Sequence, residues 1–208
     1  MDILVVDDNS PDGTGDLVAK LIDSVEGLYL LRRKEKTGLG SAYKAGFAFA
    51  MHHGWKYIAQ MDADFSHNPA DVLRLLKACR EGADVAIGSR YVKDGKIKGW
   101  PLKRWLLSRG ANLLAQTLLG GGISDMTAGF KCFRREALEK IDLSRITSEG
   151  YIFQVEMNHW AKRERLTIEQ IPICFTDRKE GISKMGAKEA KFGVKTLFYI
   201  LIRESIRQ

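Results

Sequence analysis

Apolar residues in the first half of the chain come in two alternating patterns. Short runs at Ile3-Leu4-Val5-Val6, Leu28 to Leu31, Tyr57 to Met61 and Ala83 to Gly88 read as buried strands. Between them, apolar positions spaced three and four apart predict helices over Asp16 to Val25, Ser41 to His53 and Asn68 to Glu81, the last opened by Asn68-Pro69. Ser10-Pro11-Asp12-Gly13-Thr14 and Thr37-Gly38-Leu39-Gly40 supply the turns. Strand and helix in alternation predict an α/β fold, a mostly parallel sheet with helices on both faces.

The second half has a different pattern. Tyr91 to Trp100 is a basic loop containing glycine. Leu102 to Leu119 predicts one amphipathic helix, with Arg104, Ser108, Asn112 and Gln116 four apart on its polar face and an apolar face that either packs on the sheet or lies at a membrane surface. Gly120-Gly121-Gly122 ends it. Helices are expected at Arg135 to Lys140 and Phe153 to Arg163, a strand at Thr167 to Cys174, and a second amphipathic helix at Ala187 to Ile206. No linker separates two domains. The expectation is one domain over 1–208, in two halves that meet at about residue 90.

At 208 residues, with 45% hydrophobic and 28% charged, the composition is that of a folded domain and excludes disorder. The net charge of +7 favours anionic partners: a phosphorylated substrate, acidic lipid or nucleic acid. Cys79, Cys132 and Cys174 lie too far apart for zinc spacing or a disulfide framework. No signal-peptide pattern follows Met1, and no run reaches the roughly 20 apolar residues of a bilayer span.

In a parallel-rich sheet, ligands bind at the carboxyl ends of strands. Asp7, Asp8, Asp62, Asp64 and Arg90 all fall at such ends. In extended chain, residues two apart share a side, so Asp62 and Asp64 can reach one hard cation, which would neutralise a diphosphate. By spacing alone, two aspartates in a turn also arise by chance; their place after an apolar strand in a basic chain strengthens the metal reading. Carboxylates at Asp7 and Asp8 suit a ribose or base, and equally an Asx-rich helix cap. Arg90, Arg104, Arg178 and Lys184 suit phosphate together, although each alone reads as a surface charge.

Val5 to Thr14, Gly38-Leu39-Gly40-Ser41-Ala42, Met61-Asp62-Ala63-Asp64-Phe65-Ser66-His67, Gly88-Ser89-Arg90-Tyr91, Ser108-Arg109-Gly110-Ala111-Asn112, Asp125 to Phe130 and Arg178 to Lys184 follow one another in an order that resembles family 2 glycosyltransferases, in the dolichol- and polyprenol-phosphate mannose synthase branch. The resemblance covers nearly the whole chain. It implies a GT-A fold and inverting transfer of mannose from GDP-mannose to a polyprenyl phosphate, dependent on a divalent metal, Mg²⁺ or Mn²⁺. By position it assigns the metal to Asp62 and Asp64, with Ser66 at a place where some relatives have Gln. It assigns the nucleotide to Asp7, Asp8, Gly38, Asp62 and Ala63, and the phosphates to Arg90, Arg104, Arg178 and Lys184. Asp125, Arg90 and Arg178 become the catalytic set, Asp125 orienting the acceptor first and acting as base second. The implied partners are the donor, the lipid acceptor and a membrane surface rather than nucleic acid. The implied location is peripheral, on the cytoplasmic face of a membrane, with room for an anchoring subunit.

Two departures stand out. Relatives open with a strand and a Pro-Thr-Tyr-Asn-Glu segment, whereas this chain starts at the counterpart of their second strand, so about 30 residues of a strand–helix unit are expected ahead of it. Asp125-Met126-Thr127-Ala128 replaces their usual Asp-Pro-Thr-Ser. The rival readings are transfer of glucose or N-acetylglucosamine from a UDP donor, a nucleotide-binding relative without turnover, and a receiver domain. The last would place a different loop after Asp62 and needs only about 120 residues.

Overall fold

The computed structural model describes residues 1–177 together with 196, 197, 200 and 202. The chain divides between Trp55 and Lys56 into two units. In the first, strand β1 (Ile3–Asp7) runs into helix α1 (Thr14–Ile22), strand β2 (Leu28–Arg32) and helix α2 (Leu39–His52). β1 and β2 are parallel, with Asp7 beside Arg32 at their carboxyl ends. β1 is only half-buried, and Ile3 is exposed, unlike the fully covered strand its apolar run predicts.

The second unit is built on a four-stranded sheet of β3 (Tyr57–Gln60), β4 (Val85–Ser89), β6 (Lys131–Arg134) and β7 (Ile168–Pro172), in the order β3-β6-β4-β7. β4 and β7 are parallel, but β6 lies antiparallel between β3 and β4. The expectation of a mostly parallel arrangement holds, since among the described residues three of the five ladders are parallel; the strand not foreseen is β6, which brings the two antiparallel ones. A small parallel pair, β5 (Lys96–Lys98) with β8 (Cys174–Thr176), forms where a basic loop and one continuous strand were expected. The break falls at Ile173, whose N–H goes to Ser89 and whose carbonyl accepts from Lys96.

The core gathers Leu75, Ala78 and Cys79 of α3 (Asp71–Arg80) against Ala86, Phe130, Cys132 and Ile173. Helix α4 (Leu102–Leu119) ends as its glycines predict, with Gly120 at φ 73°. Of the two placements expected for its apolar face, packing on the sheet is the one that fails. Ser108 and Asn112 are buried, while Leu102, Leu106, Leu107 and Leu113 are exposed. The polar face turns inward because it has partners there. Ser108 Oγ accepts from Tyr91 Oη at 2.7 Å, Asn112 exchanges bonds with Thr127, and Gln116 Nε2 donates to the Ser124 carbonyl at 3.1 Å. Helix α5 (Arg135–Lys140) follows β6, and α6 (Ile152–Arg163) is buried along most of its length, including Gln154, Glu156, Asn158 and His159. The predicted helix at 187–206 lies outside the described residues except at four positions, which are helical; of these Leu197 and Ile200 are buried and Ile202 is exposed.

Candidate active site

In the first unit the end of β1 presents Asp7 and Asp8. Asp7 is buried and accepts the Ser10 N–H at 3.4 Å on both carboxylate oxygens. It lies against the first turn of α1, and a Cβ on Gly15 would come within 2.4 Å of its Oδ2. A glycine is thus needed at 15 for close approach, not for an unusual backbone angle. Asp8 pairs with Arg33 at 3.0 Å. Arg33 also donates to Thr37 Oγ1 and, at 2.8 Å, to Ser41 Oγ, while its N–H bonds the Asp7 carbonyl at 2.8 Å. One guanidinium therefore ties the Asp8 carboxylate to the loop around Gly38, which adopts φ 114° and opens α2. Arg33 had no assigned role; the signal was its position just past a strand parallel to the one ending at Asp7.

In the second unit the chain leaves β3 at Gln60. Asp62 and Asp64 are half-buried with Ala63 exposed between them, in a segment that bends from residue 63 to 67 rather than running extended. Ser66 is buried, and both its N–H, at 3.1 Å, and its hydroxyl, at 2.5 Å, donate to Asp64 Oδ1. Ser66 thus orients a carboxylate; its hydroxyl proton is directed at Asp64. Gly129 packs on Asp62: a Cβ there would sit 3.5 Å from Asp62 Oδ2. Among the described residues no cluster of three or more His, Cys, Asp or Glu side chains is arranged for a metal. Two hard carboxylates with nothing further fit a Mg²⁺- or Mn²⁺-type ion whose remaining ligands come from substrate phosphate and water.

His67, quoted in the motif but given no role, is buried between the rings of Phe130 and Phe175, and its Nδ1 has no hydrogen-bond partner. Burial lowers its pKa, Arg90 adds to that, and Asp62, Asp64 and Asp125 oppose it.

Arg90 follows directly on β4 and joins Asp125 in a buried, two-pronged ion pair. Nε donates to Oδ2 at 2.7 Å, Nη2 to Oδ1 at 2.6 Å, and the Arg90 backbone N–H to Oδ2 at 3.0 Å. Nη2 also reaches Thr127 Oγ1 at 2.8 Å. Tyr91, Trp100 and Phe175 line the guanidinium. Burial works against its charge, but Asp125 outweighs this and raises the Arg90 pKa. Asp125 is fully buried. As observed, the carboxylate is the counter-ion of Arg90, an arrangement that fixes the 124–128 loop. Asn158 of α6 holds the same loop through the Met126 carbonyl at 2.9 Å.

Arg104 lies over Trp100 and donates to Asp177 at 2.7 Å. Its Nε and the Trp100 indole N–H are buried without hydrogen-bond partners. Arg178 and Lys184 lie outside the described residues. Sequence reasoning also missed Lys131, a fully buried lysine on β6 whose Nζ donates to Gln154 Oε1 at 2.6 Å. Burial brings its pKa down to about 7, against the opposing pull of Asp125 and Asp62.

A parallel-rich α/β fold with paired carboxylates past one strand and an arginine past the next defines a GT-A-like glycosyltransferase. Residues 1–142 match the family model described as glycosyl transferase family 2, and the chain belongs to that family. It is 47% identical over 196 residues to the polyprenol monophosphomannose synthase of Mycolicibacterium smegmatis, covering 92% of this chain and 74% of that protein. It is 44% identical to the undecaprenyl-phosphate mannosyltransferase of Micrococcus luteus, covering 89% and 76%. Among solved structures it is similar to glucosyl-3-phosphoglycerate synthase from Mycobacterium tuberculosis in complex with Mn²⁺, UDP and glucosyl-3-phosphoglycerate. There the TM-score is 0.65 at 16% identity, over 97% of this chain and 68% of that one, a likeness of fold.

Proposed function

We propose that this protein transfers mannose from GDP-mannose to a polyprenyl monophosphate at a membrane surface, with a divalent metal held by Asp62 and Asp64. The reading is carried by the 47% identity, across 92% of the chain, to a protein named polyprenol monophosphomannose synthase. The site chemistry agrees with it. An acceptor phosphate oxygen bonds to the anomeric carbon as the bond from that carbon to the donor diphosphate breaks, and GDP departs. The acceptor is already ionised near neutral pH, so no residue has to remove its proton. The protein's task is alignment and charge balance.

When bound, the metal supplies positive charge to the leaving diphosphate. Asp62 and Asp64 would hold it, Ser66 fixing the second of these. Asp7, Asp8 and the Gly38 loop would take the nucleoside. Arg104, with its unpartnered Nε, would meet phosphate with Arg178 and Lys184. Asp125 orients through Arg90 and is not required as a base.

The exposed apolar face of helix α4 supports peripheral membrane binding. Leu102, Leu106 and Leu113 are 71%, 56% and 65% exposed, and Trp105 accompanies them. Lys103 and Arg109 are exposed on the same helix, where they can meet anionic headgroups. Each leucine inserted gains about 1–2 kcal/mol, somewhat over half the value for a fully exposed side chain. Among the described residues no helix is long and apolar enough to cross a membrane.

The test is incubation with labelled GDP-mannose, Mg²⁺ and polyprenyl phosphate in detergent, followed by lipid extraction. Label in the lipid phase, lost with EDTA and in Asp64→Ala, is the expected result. Preferential use of UDP-glucose or UDP-N-acetylglucosamine would replace the donor assignment, and failure to label lipid with any of these donors would refute the proposed reaction.

A further inference from the structure

Lys131 is a costly residue for the interior of a sheet. It is fully buried on the antiparallel strand between β3 and β4, level with Gln60 and Ile87. An ammonium in such a place disfavours folding unless its charge is used. Its Nζ donates to Gln154 Oε1 at 2.6 Å and approaches the Gln154 carbonyl at 3.4 Å. Gln154 Oε1 also accepts Gln60 Nε2 at 2.8 Å, and the same Nε2 donates to the Gly129 carbonyl at 2.8 Å. Gly129 in turn packs on the Asp62 carboxylate, while Gln60 is the last residue of β3 before the metal motif.

The polarity of this chain of bonds has one source. In its protonated form, which it keeps below its pKa of about 7, Lys131 can only donate, so it turns the oxygen of the Gln154 amide toward itself. Gln60 must then present its NH₂ group to that oxygen, and its second N–H falls on Gly129. Two sides of the Asp62 pocket, the end of β3 and the Gly129 backbone, are tied together by one amide whose orientation Lys131 supports. Asp62 and Asp125 are the carboxylates whose charge acts on Lys131.

We propose that Lys131, acting through Gln154 and Gln60, is a positioning residue that sets Asp62 for the metal–diphosphate complex. The inference rests on the metal site proposed above. It is tested on the full chain by Mn²⁺ titration in the presence of GDP, followed by electron paramagnetic resonance of the free ion, and by GDP titration in EDTA. Lys131→Met and Gln60→Leu should each weaken Mn²⁺ binding about tenfold, the lower range for a residue supporting a ligand from behind. Metal-free GDP affinity and the far-ultraviolet circular dichroism spectrum should hold, whatever the shift in stability, and the double variant should be no weaker than the worse single one, as members of one network are not additive. If Lys131→Met does not fold, Gln60→Leu decides alone. Folded variants that bind Mn²⁺ within about twofold of wild type, well short of the loss expected for such support, overturn the proposal. Should Asp62→Ala itself leave Mn²⁺ binding unchanged, the metal site falls and this inference with it, a pattern distinct from failure of Lys131 alone.

Discussion

Asp125 provides the sharpest separation between a carboxylate that does chemistry and one that holds the site. It is fully buried and gives both oxygens to Arg90, through Nε, Nη2 and the backbone N–H, at 2.6–3.0 Å. The Arg90 side chain is 9% exposed. Asp125→Ala therefore strands a guanidinium in the interior and should cost about 3–5 kcal/mol, the usual result of removing one half of a buried pair. Against a typical total of about 5–15 kcal/mol, that is a large fraction of the stability. Asp125→Asn should also destabilise, because one amide face turns N–H groups toward the N–H donors of Arg90. The decisive comparison is with Arg90→Met/Asp125→Ala, where no charge remains buried. The double variant should recover much of the loss, with a coupling of about 2 kcal/mol or more in a double-mutant cycle. Urea unfolding at constant pH is measured for wild type, both Asp125 variants, Arg90→Met and the double variant. If Asp125→Ala unfolds within about 0.5 kcal/mol of wild type, the range of an ordinary surface change, and yet has lost turnover, the counter-ion argument is wrong and the carboxylate belongs to the acceptor.

Gly15→Ala should destabilise the first unit by about 1–3 kcal/mol, as overpacking does, because its Cβ would lie 2.4 Å from Asp7 Oδ2. A urea midpoint and a GDP titration check this, and an unchanged midpoint would mean Asp7 moves freely. Lys131 predicts a pH dependence. Its pKa is about 7 in the fold against an ordinary 10.5, so between those values the unfolded chain binds a proton that the native state has shed. Stability from this group therefore rises with pH across that window and is flat below it, by at most on the order of 5 kcal/mol. Unfolding of wild type and Lys131→Met from pH 6 to 10 should diverge in that direction, and parallel profiles would refute it.

The strands and helices that obey local patterning were legible: β1 to β4 and α1 to α6 fall within a few residues of where apolar spacing and turn residues put them. So were the strand-end positions of Asp7, Asp62 and Arg90. What was not legible shares a physical cause. Strand β6 begins with Lys131, which on charge alone belongs to a surface, and its burial depends on Gln154 more than twenty residues away. Helix α4 carries the expected period, but which side turns inward was not legible, because periodicity fixes which residues share a face and not which face has partners. Arg90 and Asp125 meet across 35 residues that no window links. Each failure is a polar group buried against the local rule, and each borders the same few loops. Asn112 and Gln116 hold the loop of Asp125, with Ser108 on Tyr91 beside Arg90, while Lys131, Gln154 and Gln60 stand behind Asp62 and Gly129. A sequence that only had to fold would fill these places with leucine, which packs without needing partners. Keeping them polar costs stability wherever a partner is lost, so the concentration of such residues behind the strand ends is itself an argument that this part of the sheet is built for a charged ligand.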